Sequence, residues 1–289
     1  MKAGFVSLFG KPNAGKSTLL NALLEEKLAI VSPKAQTTRH RIKGILNGEG
    51  YQVVLSDTPG IIDPKYRLQE KMMEAVRSAM EDADLGLLVV DIQDDPKEWN
   101  DWFTTLQLQV PCIVVVNKID KASADALEAA KTFFSAQPYC QAVIGVSALK
   151  KKGISELLQL IIDRMPEGSP YFDTDDLTDL PTKFFVGEQI REQIFHLFKE
   201  EIPYSTTVFV KEFKEKTTLI KIAADIIVQR ESQKGILLGE GGSMIRRLGT
   251  ESRKEIEKFL GRKVFLELQV RVKPKWRDND QLLKEYGYL

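Results

Sequence analysis

Only two cysteines and two histidines occur among the 289 residues. Cys112 and Cys140 are too few for a disulfide framework or a four-ligand metal site. Each opens an apolar, strand-like run, so both read as buried thiols in a reducing compartment. His40 and His196 stand isolated and are assigned no chemistry; His196 reads as part of the packing of its helix. Long apolar runs are missing as well. "LGLLVV" and "CIVVV" fall far short of the roughly 20 residues a spanning helix needs. The opening "MKAGFVSLFGK" passes straight into a strand without a signal-peptide core. Net charge is zero, with 41 basic and 41 acidic side chains. These absences leave a cytoplasmic globular protein as the expectation.

The charge is absent only on average. Residues 1–165 balance at 20 and 20, residues 166–182 carry five acidic side chains and no basic one, and residues 183–289 carry 21 basic and 16 acidic. Within the last stretch, 244–277 holds 11 basic against 4 acidic, which fits a polyanionic partner or a solvated basic face.

Apolar strand-length runs alternate with helical patterns up to about residue 165. "FVSLFG", "YQVVLSD", "LGLLVVD", "CIVVVNK" and "AVIGVSA" predict buried strands, and the segments between them carry helical spacing. That alternation predicts an α/β fold with a doubly wound, mostly parallel sheet. "PEGSPYFDTDDLTDLP" has three prolines, an acidic bias and no periodicity, so 166–182 reads as a linker. Residues 183–289 follow the order α-β-β-α-α-β, a smaller α+β domain.

"GKPNAGKS" follows the first strand and opens a helix, the setting a phosphate-binding loop requires. Gly10, Lys11, Asn13, Ala14 and Gly15 would curl backbone N–H groups around phosphate, helped by the positive helix end, with Pro12, which has no N–H, shaping the same loop. Lys16 would reach the β- and γ-phosphates, Ser17 would ligate Mg2+, and Thr18 continues the cradle. "DTPG" ends another strand: Asp57 is placed to hold Mg2+, with Thr58 and Pro59 leading to Gly60, whose N–H would meet the γ-phosphate. Upstream, the polar loop "AQTTRH" offers a threonine to the metal, Thr38 preferred over Thr37, and its release after hydrolysis would make a switch.

Such a loop does not choose between ATP and GTP, but "NKID" does. A carboxylate at Asp120 accepts two hydrogen bonds from guanine's ring N–H and amine; adenine presents neither, and a buried carboxylate left unpaired costs factors of about 10⁴. Lys118 can lay its stem along the base, and Asn117 ties this loop to the phosphate loop. "SAL", Ser147, Ala148 and Leu149, follows the last strand, where the Ala148 N–H could meet the guanine oxygen.

These stations resemble a translation-factor-type GTPase of the Ras-like superfamily. The whole chain, with "KPNAGKSTLLNAL", "SPKAQTTRHRIKGI" and "DTPGI", resembles the Era-like family of bacterial GTPases. It departs from the Ras pattern at Ile61, where a glutamine would orient the attacking water. The resemblance implies GTP hydrolysis with Mg2+, catalytic roles for Lys16, Thr38 and Gly60, and K+ held by Asn13 as in several relatives.

It also bears on "ILLGEGGSMIRRLG". A GxxG is expected about once by chance in such a chain, yet this one sits before an amphipathic helix in an α-β-β-α-α-β order. The domain resembles a type II KH domain, whose GxxG loop clamps a single-stranded nucleic acid backbone. Gly239, Glu240, Gly241 and Gly242 would form that loop, with Arg246, Arg247, Lys254 and the "RVKPKWR" stretch supplying charge. Glu240 departs from the basic residue KH loops commonly offer. The resemblance further implies 16S ribosomal RNA at its 3′ end and the 30S subunit as partners, a monomer, no DNA, and peripheral contact with the inner membrane. An RNA-binding protein with a structural nucleotide pocket, and a membrane-associated GTPase, remain as alternatives. The C-terminal "QLLKEYGYL" reads as a helix packed on its own domain or touching a membrane.

Overall fold

In the computed structural model, residues 1–288 are described and form two units. The first is Met1–Asp63 with Met72–Asp179, and the second is Pro64–Lys71 with the chain from Leu180 onward.

The first unit is built on strands β1 (Lys2–Phe9), β2 (Ile42–Gly48), β3 (Tyr51–Asp57), β4 (Leu85–Asp91), β5 (Cys112–Asn117) and β6 (Cys140–Gly145). Helices α1 (Lys16–Leu24), α2 (Arg67–Asp82, in this unit from Met72 on), α3 (Pro96–Thr105), α4 (Ala124–Ser135) and α5 (Ile154–Arg164) connect them. The sheet order is β2-β3-β1-β4-β5-β6, parallel except for β2 against β3. Every residue of β5 is buried, as a central strand covered on both faces requires. β6 is an edge strand and only partly buried, so Cys112 is enclosed while Cys140 is half-buried. Burial pushes the Cys112 thiol up to about 12, which leaves it inert at neutral pH. The strand order reverses between β1 and β4, and the motif-bearing loops leave the carboxyl ends of β1, β3, β5 and β6, where ligands bind such sheets.

Antiparallel β2, "IKGILNG", carries two glycines and no long buried run, which is why it escapes an apolar-pattern reading. Part of the acidic segment lies along this edge strand. The Ile45 N–H donates to the Leu177 carbonyl at 2.8 Å, and Lys43 pairs with Asp179 at 2.9 Å. Fully buried Gln52 accepts from the Tyr171 and Phe172 N–H groups and donates to the Phe172 carbonyl. An edge strand's free backbone groups attract such a partner.

The second unit comprises α6 (Thr182–Leu197), α7 (Ile202–Ser205), β7 (Thr207–Glu215), β8 (Ile220–Val228), α8 (Glu231–Leu238), α9 (Ser243–Leu260), β9 (Val264–Val272) and α10 (Asp280–Glu285). β7 and β9 flank β8, the first antiparallel and the second parallel. Alternate residues of β8, Ile222, Ala224 and Ile226, meet Val186, Ile190 and Ile194 of α6 and Leu248 and Ile256 of α9. Each fully buried aliphatic side chain there contributes about 1.5–3 kcal/mol. Pro64–Lys71 belongs to this unit: Arg67 pairs with Asp280 at 2.7 Å, and Arg277 lies 4.3 Å over the Tyr66 ring. In α10, Leu283 is buried, and Tyr286 packs beside Trp276. This helix is thus applied to its own domain; Leu289, the last residue of that stretch, lies outside the described residues. His196, read as packing, is exposed instead, because the apolar face of α6 passes through Ile190, Ile194 and Phe195. No described helix is long and apolar enough to cross a membrane.

Candidate nucleotide and nucleic-acid sites

α1 is preceded by Gly15, which has φ +97° and provides no side-chain cap, so the first-turn N–H groups face the cavity without a side-chain cap. The cavity holds about 470 Å³, lined among others by Pro12, Gly15, Lys16, Gly60, Asn117 and Asp120. Lys16 is drawn over the loop, donating to the carbonyls of Gly10 at 2.9 Å and Lys11 at 3.1 Å. Burial lowers its ammonium to about 8, with Asp57 pulling the other way. The Lys11 side chain turns from the cavity to α3, 5.0 Å over the Trp99 ring and 3.7 Å from Glu98. Only its backbone belongs to the phosphate loop. Gly10, Ala14, Thr58 and Pro59 are buried behind the cavity wall; the Thr58 hydroxyl donates to the Leu8 carbonyl at 2.6 Å. A Cβ on Gly60 would come 2.9 Å from Pro12 Cγ, so only glycine lets the two loops touch.

Three oxygen-bearing side chains converge beside Lys16. Ser17 Oγ donates to Asp57 Oδ2 at 2.6 Å and lies 2.8 Å from Thr38 Oγ1, which is itself 3.1 Å from Asp57 Oδ2. Thr37 instead donates to the Lys34 carbonyl within its own loop, at 2.7 Å. Asp57 is fully buried, and burial raises its carboxyl above the usual range against the opposing pull of Lys16, Ser17 and Thr38. Among the described residues its Oδ1 has no hydrogen-bond partner. A buried carboxylate with a free oxygen beside two hydroxyls is a hard donor set suited to Mg2+.

Asn117 joins three loops. Its amide donates to the Ala14 carbonyl at 2.9 Å, and its Oδ1 accepts from the N–H groups of Lys118 at 2.8 Å and Ala148 at 3.1 Å. The Ala148 N–H, expected at the guanine oxygen, is thus held here by Asn117. Asp120 sits on the 3₁₀ turn Ile119–Lys121, exposed rather than buried as the selectivity argument assumed. The Ser147 hydroxyl donates to it at 2.5 Å and holds its carboxyl below the usual range. A base seated over it would supply the enclosure that the protein alone does not. Leu149 is 72% exposed at the rim. Ile30 and Val31 also line the cavity, and no motif in the sequence marks them.

In the second unit, Gly239, Gly241 and Gly242 all take positive φ, 70°, 56° and 77°, joining α8 to α9 by a tight turn. A Cβ on Gly239 would sit 2.7 Å from Met244 Cγ. α9 begins uncapped by any side chain, directly after Gly242. Glu240, Arg246, Arg247 and Lys254 are exposed, Lys254 paired with Glu251 at 2.9 Å. Ile236 on α8, half-exposed at 49%, adds an apolar surface before the glycines. The "RVKPKWR" stretch is less available than its composition implies. Arg271 pairs with buried Asp225 at 2.7 Å, Trp276 is buried with its indole donating to the Ser205 carbonyl, and Arg277 covers Tyr66. Lys273 and Lys275 remain exposed.

Comparison with known proteins adds to this geometry. The family described as 50S ribosome-binding GTPase matches residues 5–118, and the KH domain family matches 201–277. GTPase Era of Geobacter sp. strain M21 is 47% identical over 99% of this chain and 98% of its own length; that of Geotalea uraniireducens is 44% identical with the same coverage. A point variant of Aquifex aeolicus Era bound to GDP·AlF4⁻ superposes with a TM-score of 0.94 at 38% identity, covering 100% of this chain and 99% of that one. An Era structure with MgGDPNP and nucleotides 1506–1542 of 16S ribosomal RNA gives 0.95, again at 38% identity and with the same coverage.

Proposed function

The chain belongs to the Era family of GTPases, and on that premise we propose a switch that grips the 3′ end of 16S ribosomal RNA and assists assembly of the 30S subunit. It is a GTPase with a nucleotide domain and a KH domain, using guanine nucleotide and Mg2+. The observation that carries the switch reading is Thr38: a hydroxyl from a polar loop reaches both Ser17 and Asp57. The RNA reading is supported by the GxxG turn and by the relative bound to a 16S fragment.

Residues 1–165 would carry the nucleotide chemistry, 183–289 the RNA grip, and 166–182 the connection. Ser17, Thr38 and Asp57 would hold Mg2+, which when bound draws off negative charge from the phosphates. Burial lowers the Lys16 ammonium to about 8 with Asp57 pulling the other way, and a phosphate beside it would favour its charged form. The Gly60 N–H would sense the γ-phosphate, and its contact with Pro12 couples that sensing to the phosphate loop. Asp120 would read the base, with Lys118 along its face. Ile61 has no polar atom to orient water, so intrinsic hydrolysis is slow, and K+ held by Asn13 would supply added charge. The protein would work in the cytoplasm as a monomer. α10 turns Leu283 into its own domain and leaves Leu282 half-buried, so peripheral contact with the inner membrane would not use Leu283.

Fluorescence anisotropy with a labelled oligonucleotide of the 16S 3′ end tests the reading. Affinity with a non-hydrolysable GTP analogue should exceed that with GDP by about 5- to 150-fold, the usual range of coupling between sites. Equal affinity in both states refutes the switch, and absence of binding in both refutes the RNA partner.

A further inference from the structure

Strand β4 ends in Asp91, a residue that none of the nucleotide motifs contains. Its neighbour across the sheet is Asn117, the first residue of "NKID". Lys118, in the left-handed region at φ +62°, extends its side chain across the phosphate loop; a Cβ on Gly15 would touch its Cε at 4.0 Å. The ammonium ends between two acceptors, the Asn13 carbonyl at 2.7 Å and Asp91 Oδ2 at 2.5 Å. The other carboxylate oxygen of Asp91 accepts the Gln93 N–H at 3.1 Å, and the Asp91 carbonyl accepts the Asp94 N–H at 3.0 Å. The carboxylate is therefore fixed by its own turn before it meets the lysine. Both partners are largely shielded, with side chains 14% and 26% exposed, so the pair is less screened by salt than an open surface pair.

We propose that Asp91 is a positioning residue for the guanine nucleotide, acting through Lys118. A lysine stem has several rotatable bonds and loses rotamer freedom when held in one path. Asp91 holds it along that path before the base arrives, so the stem is already flat against the base plane. The same anchor keeps the Lys118 ammonium on the Asn13 carbonyl, at a residue whose own φ is +66°. One carboxylate thereby steadies the base-stacking side chain and the phosphate-loop backbone together. The proposal rests on the guanine pocket argued above.

The test is release of fluorescent GDP from the full-length protein by stopped flow, with Asp91→Ala, Asp91→Asn, Lys118→Met and the Asp91→Ala/Lys118→Met pair. Asp91→Ala should speed release about tenfold, the loss of one charge-assisted bond. Asp91→Asn keeps an acceptor for the Gln93 N–H and should speed release about threefold; it carries the test if the alanine variant does not fold. The double variant should release GDP within about twofold of Lys118→Met alone. Unchanged release in both Asp91 variants, or a full multiplicative effect in the pair, overturns the proposal, the latter assigning Asp91 to its turn alone. Unchanged release in Lys118→Met overturns the guanine pocket itself and is told apart from the first failure by that single variant.

Discussion

Replacing Asn117 with alanine tests the construction of the site most directly. The side chain is 2% exposed and makes three hydrogen bonds, to the Ala14 carbonyl and from the Lys118 and Ala148 N–H groups. A Cβ on Gly15 would lie 2.3 Å from its Nδ2, so the amide occupies a fitted slot rather than open space. Alanine leaves one acceptor and two donors without partners. Each unsatisfied buried group costs about 1–3 kcal/mol, and because the adjoining cavity admits water the lower end applies, about 3 kcal/mol in all. The lost bonds link the phosphate loop to both base-side loops, so most of that cost should appear when nucleotide is bound. About 3 kcal/mol is roughly a 150-fold loss of GDP affinity. The assay is equilibrium binding of fluorescent GDP, paired with thermal unfolding of the nucleotide-free protein to separate the two contributions. If affinity falls less than about fivefold and the melting temperature is unchanged, the three-way tie is not what assembles the pocket.

Three further perturbations probe separate parts of the molecule. Glu240→Lys should tighten RNA binding and steepen the plot of log affinity against log salt by about 0.7, one added phosphate contact on a single strand; weaker or unchanged binding means the loop does not face phosphate. Burial lowers Lys16 to about 8 while phosphate favours its charged form, so GDP binding without Mg2+ should take up a fraction of a proton near pH 8, above the titration of the nucleotide's own phosphate. The sign follows because the free protein has partly lost that proton at pH 8 and the complex regains it; calorimetry in buffers of different ionisation enthalpy reads it, and zero uptake at pH 8 refutes it. Asn13→Ala should abolish K+ stimulation of GTP turnover, and a variant still equally responsive to K+ places the ion elsewhere.

Much of the first unit is legible because its determinants are local. A run such as "CIVVV" is buried on both faces wherever it is placed, and "GKPNAGKS" between strand and helix needs only its own glycines to form the loop. The positive φ values at Gly239, Gly241 and Gly242 likewise agree with the sequence. Other features escaped because their partners are distant. Arg271 and Arg277 count as free charge until the fold brings Asp225 and Tyr66 beside them. Periodicity on α6 does not say that His196 falls just off the buried face, and β2 has too weak a pattern to announce an edge strand on which Leu177 can pair.

The amino-acid order alone determined the alternating strands and helices, the two glycine-built turns and the chemical type of the motif residues that line the cavity. Backbone conformation, burial preference and side-chain chemistry are properties of short segments, and they survive without knowledge of the whole. Only the tertiary structure decided that Thr38 rather than Thr37 meets Ser17 and Asp57, that Lys11 turns away to Trp99, and that Asp91 anchors Lys118. Those choices depend on distances of a few tenths of an ångström between segments tens of residues apart. Sheet register and helix packing set such distances, and no local pattern encodes them.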